Sequence, residues 1–395
     1  MQPKLSPRGV EYLARARELA PIIESCSAEI DAIRDLPDTL FQALLARDMF
    51  RLVQPREYGG AELEPMDLVQ VIEEVAKHDA STAWCLGQNN VSATTAAHLE
   101  PAAVKEILGS PRGIIAWGPG PAQAKVAPGG YRLTGKFDFA SGSRHATWLG
   151  AHVPIIETDG SRRTWPDGGP ATYTLLFPRT SAKVMDTWHV IGLKGTGSDS
   201  YTVDDLFVPQ AHAVPRGGPN RKPKVAGRLF KFTPSPLYAS SFAGVALGIA
   251  RATFDAFVQE MRDTTPRGAS RTRGNNNVVQ AAVGQSEARL RSARMFLLGS
   301  LEQIWAEMEH QEALNRAQQL TVRLASTWAI HQARETVTQL YMAAGSSAVF
   351  NQRPFEKRFR DIHTLTQQFQ GQAAHFETVG QILLGMEPDR PMFTF

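Results

Sequence analysis

Apolar residues recur at helical spacing through the first part of the chain. Leu36, Leu40 and Leu44 fall on one face of a predicted helix. Residues 80–99 are apolar and rich in small side chains, which is typical of a buried helix. The pattern therefore predicts an N-terminal α-helical domain over residues 1–112.

The pattern then changes twice. Over residues 113–233, short runs of β-branched and aromatic residues lie between glycines and prolines, which predicts a central β barrel or sandwich. Over residues 234–395, long helical patterns are separated by short breaks, which is typical of a four-helix bundle. The fold class is thus α+β and multidomain, with no glycine-rich phosphate loop. A cleft between such domains suits a flat cofactor.

Charge does not indicate a nucleic-acid-binding protein. The 42 basic and 39 acidic residues give a net charge of +3, too little to attract a polyanion by itself. One basic cluster is best interpreted as a solvated arm between domains. Its members are Arg216, Arg221, Lys222, Lys224, Arg228 and Lys231.

Cysteine content and hydropathy predict a protein of the reducing cytoplasm. Cys26 and Cys85 lie far apart and lack metal-ligand spacing, so neither a disulfide framework nor a metal site is indicated. The first twenty residues have no continuous apolar core of the signal-peptide type. We also find no uninterrupted run of about 18 apolar residues, so no membrane span is expected.

Four motifs carry a family resemblance that spans nearly the whole chain. They are "LVQPREYGGAELEPMDLVQVIEEVAKHDASTAW" (52–84), "YRLTGKFDFASGSRHATW" (131–148), "IGLKGTGSDSYTVDDLFVP" (191–209) and "RPFEKRFRDIHT" (353–364). In this order, and with this sequence of helical, β and helical regions, the chain resembles the acyl-CoA dehydrogenase superfamily. The superfamily contains both dehydrogenases and flavin-dependent monooxygenases.

The residues near the C-terminus favour the monooxygenase branch. A dehydrogenase needs a carboxylate to remove a substrate proton, and many relatives place it in a Tyr-Glu-Gly context after an Arg-Asp pair. The matching positions here are Phe369, Gln370 and Gly371, and no Asp or Glu occurs over residues 362–376. Because an amide is not a base, the resemblance implies a two-component oxygenase. Such an enzyme takes reduced flavin (FADH2 or FMNH2) from a separate NAD(P)H:flavin reductase and uses O2.

The resemblance also assigns cofactor-binding residues. In such oxygenases, a flavin C4a-(hydro)peroxide hydroxylates an electron-rich ring. Phe139 falls where an aromatic packs on the isoalloxazine, and Ser141 where a hydroxyl reaches flavin N5, the alternative being an ordinary turn serine. Gly195, Thr196, Gly197 and Ser198 fall where backbone amides approach the flavin or order a loop over it, or where a purely structural turn would lie.

This chain departs from the monooxygenase pattern where relatives carry histidines. Gln368 replaces one of them, and "GQNNVS" replaces another. The resemblance therefore places Asn89, Asn90, Ser92, Gln367 and Gln368 along the site. We expect Ser141, Gln368 and Asn90 to act in catalysis, with His363 as a substitute for the missing imidazole or as a helix-packing residue.

Other residues have a functional and a structural interpretation. Trp84, Trp117 and His145 line the substrate pocket or pack in the core. In the family, the loop at Arg273 and the glutamine at Gln339 contact flavin, often that of a neighbouring subunit. Arg360 and Asp361 are interpreted as an ion pair that fixes the last helix rather than as catalysts. The resemblance implies a homotetramer.

The predicted function is hydroxylation of a small indolic or phenolic compound, in aromatic compound catabolism. An indole is favoured because it is nucleophilic without deprotonation. One alternative is an FAD-dependent acyl-CoA dehydrogenase with a displaced base, for which Glu356 and Glu377 are candidates. Another is a flavin-free relative that acts as a binding module.

Overall fold

The computed structural model describes residues 4–217 and 222–391, so Arg221 of the basic cluster lies outside the described residues. The described part of the chain forms ten α-helices and eight β-strands. The helices are α1 (Pro7–Ile33), α2 (Asp38–Ala46), α3 (Pro65–His78), α4 (Ala80–Ala93), α5 (Pro101–Leu108), α6 (Pro234–Asp263), α7 (Asn277–Glu307), α8 (Arg316–Ala344), α9 (Glu356–Leu365) and α10 (Ala374–Leu383). The strands are β1 (Ile115–Trp117), β2 (Ala122–Ala127), β3 (Gly130–Ala140), β4 (Trp148–Ile156), β5 (Thr172–Pro178), β6 (Lys183–Met185), β7 (Asp199–Pro209) and β8 (Ala213–Pro215). The predicted order of a helical domain, a β domain and a second helical domain is confirmed.

The central domain is one mixed sheet. Its strands run in the order β6-β7-β3-β2-β4-β5-β8, and β1 pairs with β4. The pairs β1–β4 and β2–β4 are parallel, and the remaining pairs are antiparallel. The β3–β7 ladder is irregular between Phe137 and Ala140, where a bulge interrupts the pairing. Beyond this bulge β3 ends at Ala140, next to Ser141, which accepts a hydrogen bond from Trp84 of α4.

Helix α6 is the apolar helix at the centre of the molecule. By length and composition it could cross a membrane, with a mean hydropathy of 1.3 over an 18-residue window, although polar residues interrupt its apolar runs. That window is 72% buried inside the structure, as in a core helix. A Cβ atom on Gly248 would lie 2.3 Å from the Glu73 carbonyl oxygen, so glycine permits α3 and α6 to pack closely.

A buried ion network joins the helical domains to the sheet domain. Lys357 Nζ on α9 lies 3.0 Å from Asp361 Oδ2, 3.0 Å from Asp79 Oδ2 and 3.5 Å from Asp31 Oδ1. Asp361 Oδ1 accepts a hydrogen bond from Leu193 N of the β domain (2.6 Å). Burial opposes the charge on Lys357, but the three carboxylates outweigh burial and raise its pKa. One ammonium group therefore holds together carboxylates from α1, α9 and the start of α4.

Arg360 strengthens the same junction from the next turn of α9. Its guanidinium donates to the Ile191 carbonyl (2.6 Å) and to Asp31 Oδ2 (3.2 Å), and it pairs with Glu356 (2.7 Å). Arg360 and Asp361 thus bind different partners rather than each other. Both fix the loop that precedes β7.

Replacement of Lys357 by methionine tests this junction. The change leaves the buried Asp361 and Asp79 carboxylates without their cation, so we expect a loss of about 3 kcal/mol of unfolding free energy. Urea denaturation followed by tryptophan fluorescence measures it. The control is Arg316→Met, since the Arg316–Glu387 pair is exposed and its loss should cost less than about 1 kcal/mol. Equal effects of the two changes would contradict the role given to Lys357.

Candidate functional site

A cluster of buried hydroxyl groups surrounds Ser141 at the end of β3. Ser141 Oγ accepts a hydrogen bond from Trp84 Nε1 (2.9 Å) and lies 2.7 Å from Ser198 Oγ. Ser198 Oγ lies 2.6 Å from Thr196 Oγ1, which donates to the Leu193 carbonyl (2.9 Å). All four side chains are buried. The cluster brings together the predicted residues Trp84, Ser141 and Thr196.

Phe139 is the exposed aromatic side chain next to this cluster. Its backbone has a φ of 60°, in the left-handed region that a phenylalanine rarely adopts. Its side chain is 64% exposed and meets the Trp188 ring edge-on, with centroids 6.2 Å apart. A strained backbone that holds an apolar ring in solvent indicates a ligand surface. Trp188 itself is fixed because its Nε1 donates to the Leu193 carbonyl (3.0 Å).

The glycines of the loop before β7 serve close packing. A Cβ atom on Gly195 would lie 2.0 Å from Ile30 Cγ2 and 3.0 Å from Ser81 Cβ, so Gly195 lets the loop contact α1 and α4. Gly197 has a φ of 48° and packs against the Arg144 side chain. These contacts give both predicted cofactor-binding glycines a structural role.

The amides of α4 are occupied by protein contacts. Asn89 Nδ2 donates to the Ile115 carbonyl (2.9 Å), and its Oδ1 lies 3.1 Å from His145 Nε2. His145 packs between Phe41 and Phe50, at centroid distances of 5.4 and 5.5 Å. Asn89 and His145 therefore pack against the turn that follows β3, at Gly142.

Asn90 is placed differently from the predicted catalytic position. Its Oδ1 accepts from Leu52 N (2.6 Å), and its Nδ2 donates to the Met49 and Leu86 carbonyls (2.7 and 2.9 Å). Both ends of the amide are thus bound to backbone groups of the N-terminal domain. The structure does not bring Asn90 to Ser141.

An aromatic row extends from Ser141 along α4 and α6. The Trp84 ring stacks on Phe242 at a centroid distance of 3.8 Å, and Phe242 stacks on Tyr238 at 5.7 Å. Tyr238 Oη lies 2.9 Å from Ser92 Oγ. Trp117 also lies near this end of the row, because Tyr238 and Trp117 interact. The predicted pocket residues Trp84, Ser92 and Trp117 therefore lie along one buried aromatic row.

The C-terminal amides form a braced turn rather than an open row. Gln370 Oε1 accepts from Arg323 Nη1 (2.8 Å), and Gln368 Oε1 accepts from Gln370 N (2.6 Å). Burial lowers the pKa of Arg323 to about 9. His331 and His375 contact the carbonyls of residues 371 and 369 (3.0 and 2.6 Å). Gln367 is exposed, so the structure does not gather these amides around Ser141.

Three of the predicted site residues lie in the C-terminal helical domain. Their hydrogen-bond partners lie there too, rather than in the hydroxyl cluster around Ser141. His363 Nε2 lies 3.0 Å from Thr338 Oγ1, and burial lowers the pKa of His363. Arg273 Nη1 donates to the Ala344 carbonyl (3.1 Å), at the end of α8. Gln339 accepts from Arg289 on α7. None of these hydrogen bonds reaches the β domain.

Sequence reasoning missed several residues that build the site. Trp188 and Phe242 carry no motif, and only their three-dimensional neighbours reveal them. Ser198 stood in the "GTGS" turn, where the sequence pointed to backbone amides and gave no role to the Ser198 hydroxyl. Arg323 had a signal, since it is a charged residue within the otherwise apolar stretch "LTVRLAST". Among the described residues, no cluster of three His, Cys, Asp or Glu side chains is placed to hold a metal ion.

Comparison with known proteins agrees with this architecture. The family model for the acyl-CoA dehydrogenase N-terminal domain matches residues 14–106, and that for the C-terminal domain matches residues 240–372. Together the two models cover more than half of the chain. The chain belongs to the acyl-CoA dehydrogenase superfamily.

The superfamily members most similar to this chain include monooxygenases. An indole-3-acetate monooxygenase of Pseudomonas putida is 28% identical over 91% of this chain and 90% of its own length. The oxygenase component of an FADH(2)-dependent resorcinol hydroxylase of Rhizobium sp. (strain MTP-10005) is 26% identical over 98% and 97%. XiaF from Streptomyces sp., solved with FADH2 and glycerol, superposes with a TM-score of 0.88 at 22% identity, covering 97% of each chain. Because the identity to XiaF is only 22%, this similarity is evidence for the fold alone.

The site of this superfamily member fits a flavin. Phe139 offers an exposed ring to a planar apolar group, and Ile191 in the facing loop is 68% exposed. Ser141 adds a buried hydroxyl two residues from Phe139. A flavin ring system needs both an apolar contact and a polar partner for its nitrogens, and this end of β3 supplies both.

Protonation of His375 predicts how stability depends on pH. Burial, with Arg323 contributing, lowers the pKa of His375 from 6.5 to about 4. As the pH falls through this range, the unfolded chain binds the proton before the folded chain does, so wild-type stability falls. We expect His375→Gln to lose less stability than wild type between pH 7 and pH 4.5, measured as thermal unfolding midpoints. The exposed His310→Gln control should follow the wild-type slope; if His375→Gln does too, His375 is not the group responsible.

Proposed function

We propose that this chain is the oxygenase component of a two-component flavin-dependent monooxygenase that hydroxylates a small electron-rich aromatic compound. The observation that carries the proposal is the pair Gln370–Arg323. An amide stands where a dehydrogenase of the superfamily carries its base, and a buried guanidinium holds that amide (2.8 Å). A flavin-facing hydroxyl without a carboxylate suits oxygen chemistry rather than proton abstraction.

The protein contributes binding, orientation and exclusion of water. Reduced flavin, when bound, activates O2 so that one oxygen atom reaches the aromatic ring. Phe139 would pack on the flavin ring system, and Ser141 would hydrogen-bond to N5. Trp84 and Phe242, stacked at 3.8 Å, close the interior behind Ser141. A dry site limits the loss of oxidising equivalents to water.

An indolic substrate is favoured over a phenol. In the described residues, the hydrogen bonds of the Ser141 cluster involve hydroxyl, indole and backbone groups and no imidazole or carboxylate. A phenol gains nucleophilicity by losing its proton, whereas an indole is nucleophilic as it stands. The relative from Pseudomonas putida bears the name indole-3-acetate monooxygenase, which supports the same class.

The proposal includes a partner reductase and a homotetramer. The name "oxygenase component" of the Rhizobium relative supports a separate NAD(P)H:flavin reductase. The C-terminal helical domain exposes large apolar side chains, which supports association between copies. They include Val278, Met342, Val349, Phe350, Leu383 and Leu384. We place the protein in the cytoplasm, where its two free buried cysteines stay reduced.

A rapid-mixing experiment tests the proposed function. Protein is mixed anaerobically with FADH2 or FMNH2, and then with oxygenated buffer containing indole, indole-3-acetate, a phenol or no substrate. We expect a transient near-ultraviolet absorbance that differs from both reduced and oxidised flavin, and a hydroxylated product with the indoles. Immediate formation of oxidised flavin and hydrogen peroxide under all conditions would contradict an oxygenase.

The dehydrogenase alternative has weaker structural support. Glu356 pairs with Arg360 at 2.7 Å, and Glu377 is exposed, so neither candidate base stands free in a closed site.

We expect Gln370→Glu to form an ion pair with Arg323 and to gain no dehydrogenase activity. Incubation with acyl-CoA substrates should leave bound FAD unbleached in both proteins. Bleaching of the wild type would instead support the dehydrogenase, and absence of any flavin binding would support the binding module.

A further inference from the structure

The hydroxyl chain behind Ser141 has two possible directions of hydrogen bonding. The Trp84 indole nitrogen can only donate, so Ser141 Oγ accepts from it at 2.9 Å. At the other end, the Leu193 carbonyl can only accept, so Thr196 Oγ1 donates to it at 2.9 Å. Only the protons of Ser141 and Ser198 are left free to choose a direction.

In the first arrangement the protons point inward. Ser141 donates to Ser198 (2.7 Å), and Ser198 donates to Thr196 (2.6 Å). Ser141 Oγ then keeps one lone pair that no protein group uses, since the other accepts from Trp84. Ser141 is in this state an acceptor toward a ligand.

In the second arrangement the protons point outward. Ser198 donates to Ser141, and Ser141 Oγ accepts from both Trp84 and Ser198. Its own proton is then free for a ligand acceptor. The change needs rotation of two hydroxyl groups, with no proton transfer and no titratable group.

The chemistry of flavin matches these two states. N5 of reduced flavin carries hydrogen and donates, whereas N5 of oxidised flavin has a lone pair and accepts. We propose that Ser198 and Thr196 are positioning residues that let Ser141 accept from the reduced form and donate to the oxidised form of the bound flavin. This inference rests on the proposed function and extends it to how the site holds both oxidation states.

The geometry also connects the chain of hydroxyls to the domain junction. Leu193, whose carbonyl receives the Thr196 proton, has a φ of 50° and is held because its N–H donates to Asp361 (2.6 Å). The same carbonyl accepts from Trp188, which contacts Phe139. The Leu193 carbonyl, at the inward end of the chain of hydroxyls, is thus an acceptor in a fixed position. Its position follows from α9, through Asp361.

The test compares the affinities for reduced and oxidised flavin in Ser198→Ala. Without Ser198, the Ser141 proton has no acceptor in the inward state, so binding of reduced FAD should weaken roughly fivefold to tenfold. Binding of oxidised FAD should change less than about twofold, since Ser141 still donates to N5. Dissociation constants are measured anaerobically by fluorescence titration, with no turnover involved.

A second variant and a control separate positioning from folding. Thr196→Val removes the acceptor for the Ser198 proton and should weaken reduced-FAD binding in the same selective way. Ser200→Ala removes a buried hydroxyl from the neighbouring β7, where it bonds to Thr187 and Asp138 (2.9 and 2.6 Å), and should leave the affinity ratio unchanged. Thermal unfolding midpoints show that each variant is folded.

The outcomes distinguish this inference from the proposed function. A selective loss of reduced-FAD affinity in Ser198→Ala and Thr196→Val supports the hydroxyl switch. An unchanged affinity ratio in both, or an equal change in Ser200→Ala, overturns it while wild-type flavin binding and oxygenation stand. Failure of the wild-type protein to bind either form of flavin overturns both proposals.

Discussion

The buried contact between Lys357 and three carboxylates determines how the three domains of this oxygenase meet. A charge removed from water is stable only when opposite charges and hydrogen-bond donors surround it. Here the surrounding groups come from α1, α4 and α9, and Asp361 uses its second oxygen for the Leu193 amide of the β domain. Separation of the two helical domains would therefore unpair charges, and separation of the β domain would leave Asp361 Oδ1 without its donor. The network fixes the relative placement of the elements that form the proposed flavin site.

From Leu193 the effect of this junction reaches both side chains that we propose to face the flavin, Phe139 and Ser141. The Leu193 carbonyl accepts from Trp188, which contacts Phe139, and from Thr196, which leads through Ser198 to Ser141. The proposed apolar platform and polar contact for the cofactor thus depend on one backbone carbonyl. A site held on strand ends and a buried loop is more precise than one held on surface side chains. Such precision suits a reaction in which water must be excluded.

The absence of a carboxylate near residues 369–371 has a structural counterpart. Arg323, His331 and His375 use the space and the hydrogen-bonding groups around this turn. The turn is consequently a rigid part of the C-terminal domain. The proposed flavin contact lies instead at the end of β3, where the buried polar groups are hydroxyls rather than a titratable base. This distribution is consistent with an electron-rich substrate that needs no deprotonation.

The sequence by itself determined the fold class, the family and the absence of a carboxylate over residues 362–376. These follow from hydrophobic periodicity, motif order and the residue types at 369–371, all of which are local properties. It also marked Phe139, Ser141 and Trp84, because they lie within motifs. Only the tertiary structure decided what Asn90, Gln370 and Gly195 contact, since their partners at Leu52, Arg323 and Ile30 are remote in sequence. An amide has the same composition whether it faces a ligand or a backbone carbonyl, and packing alone decides which group it binds.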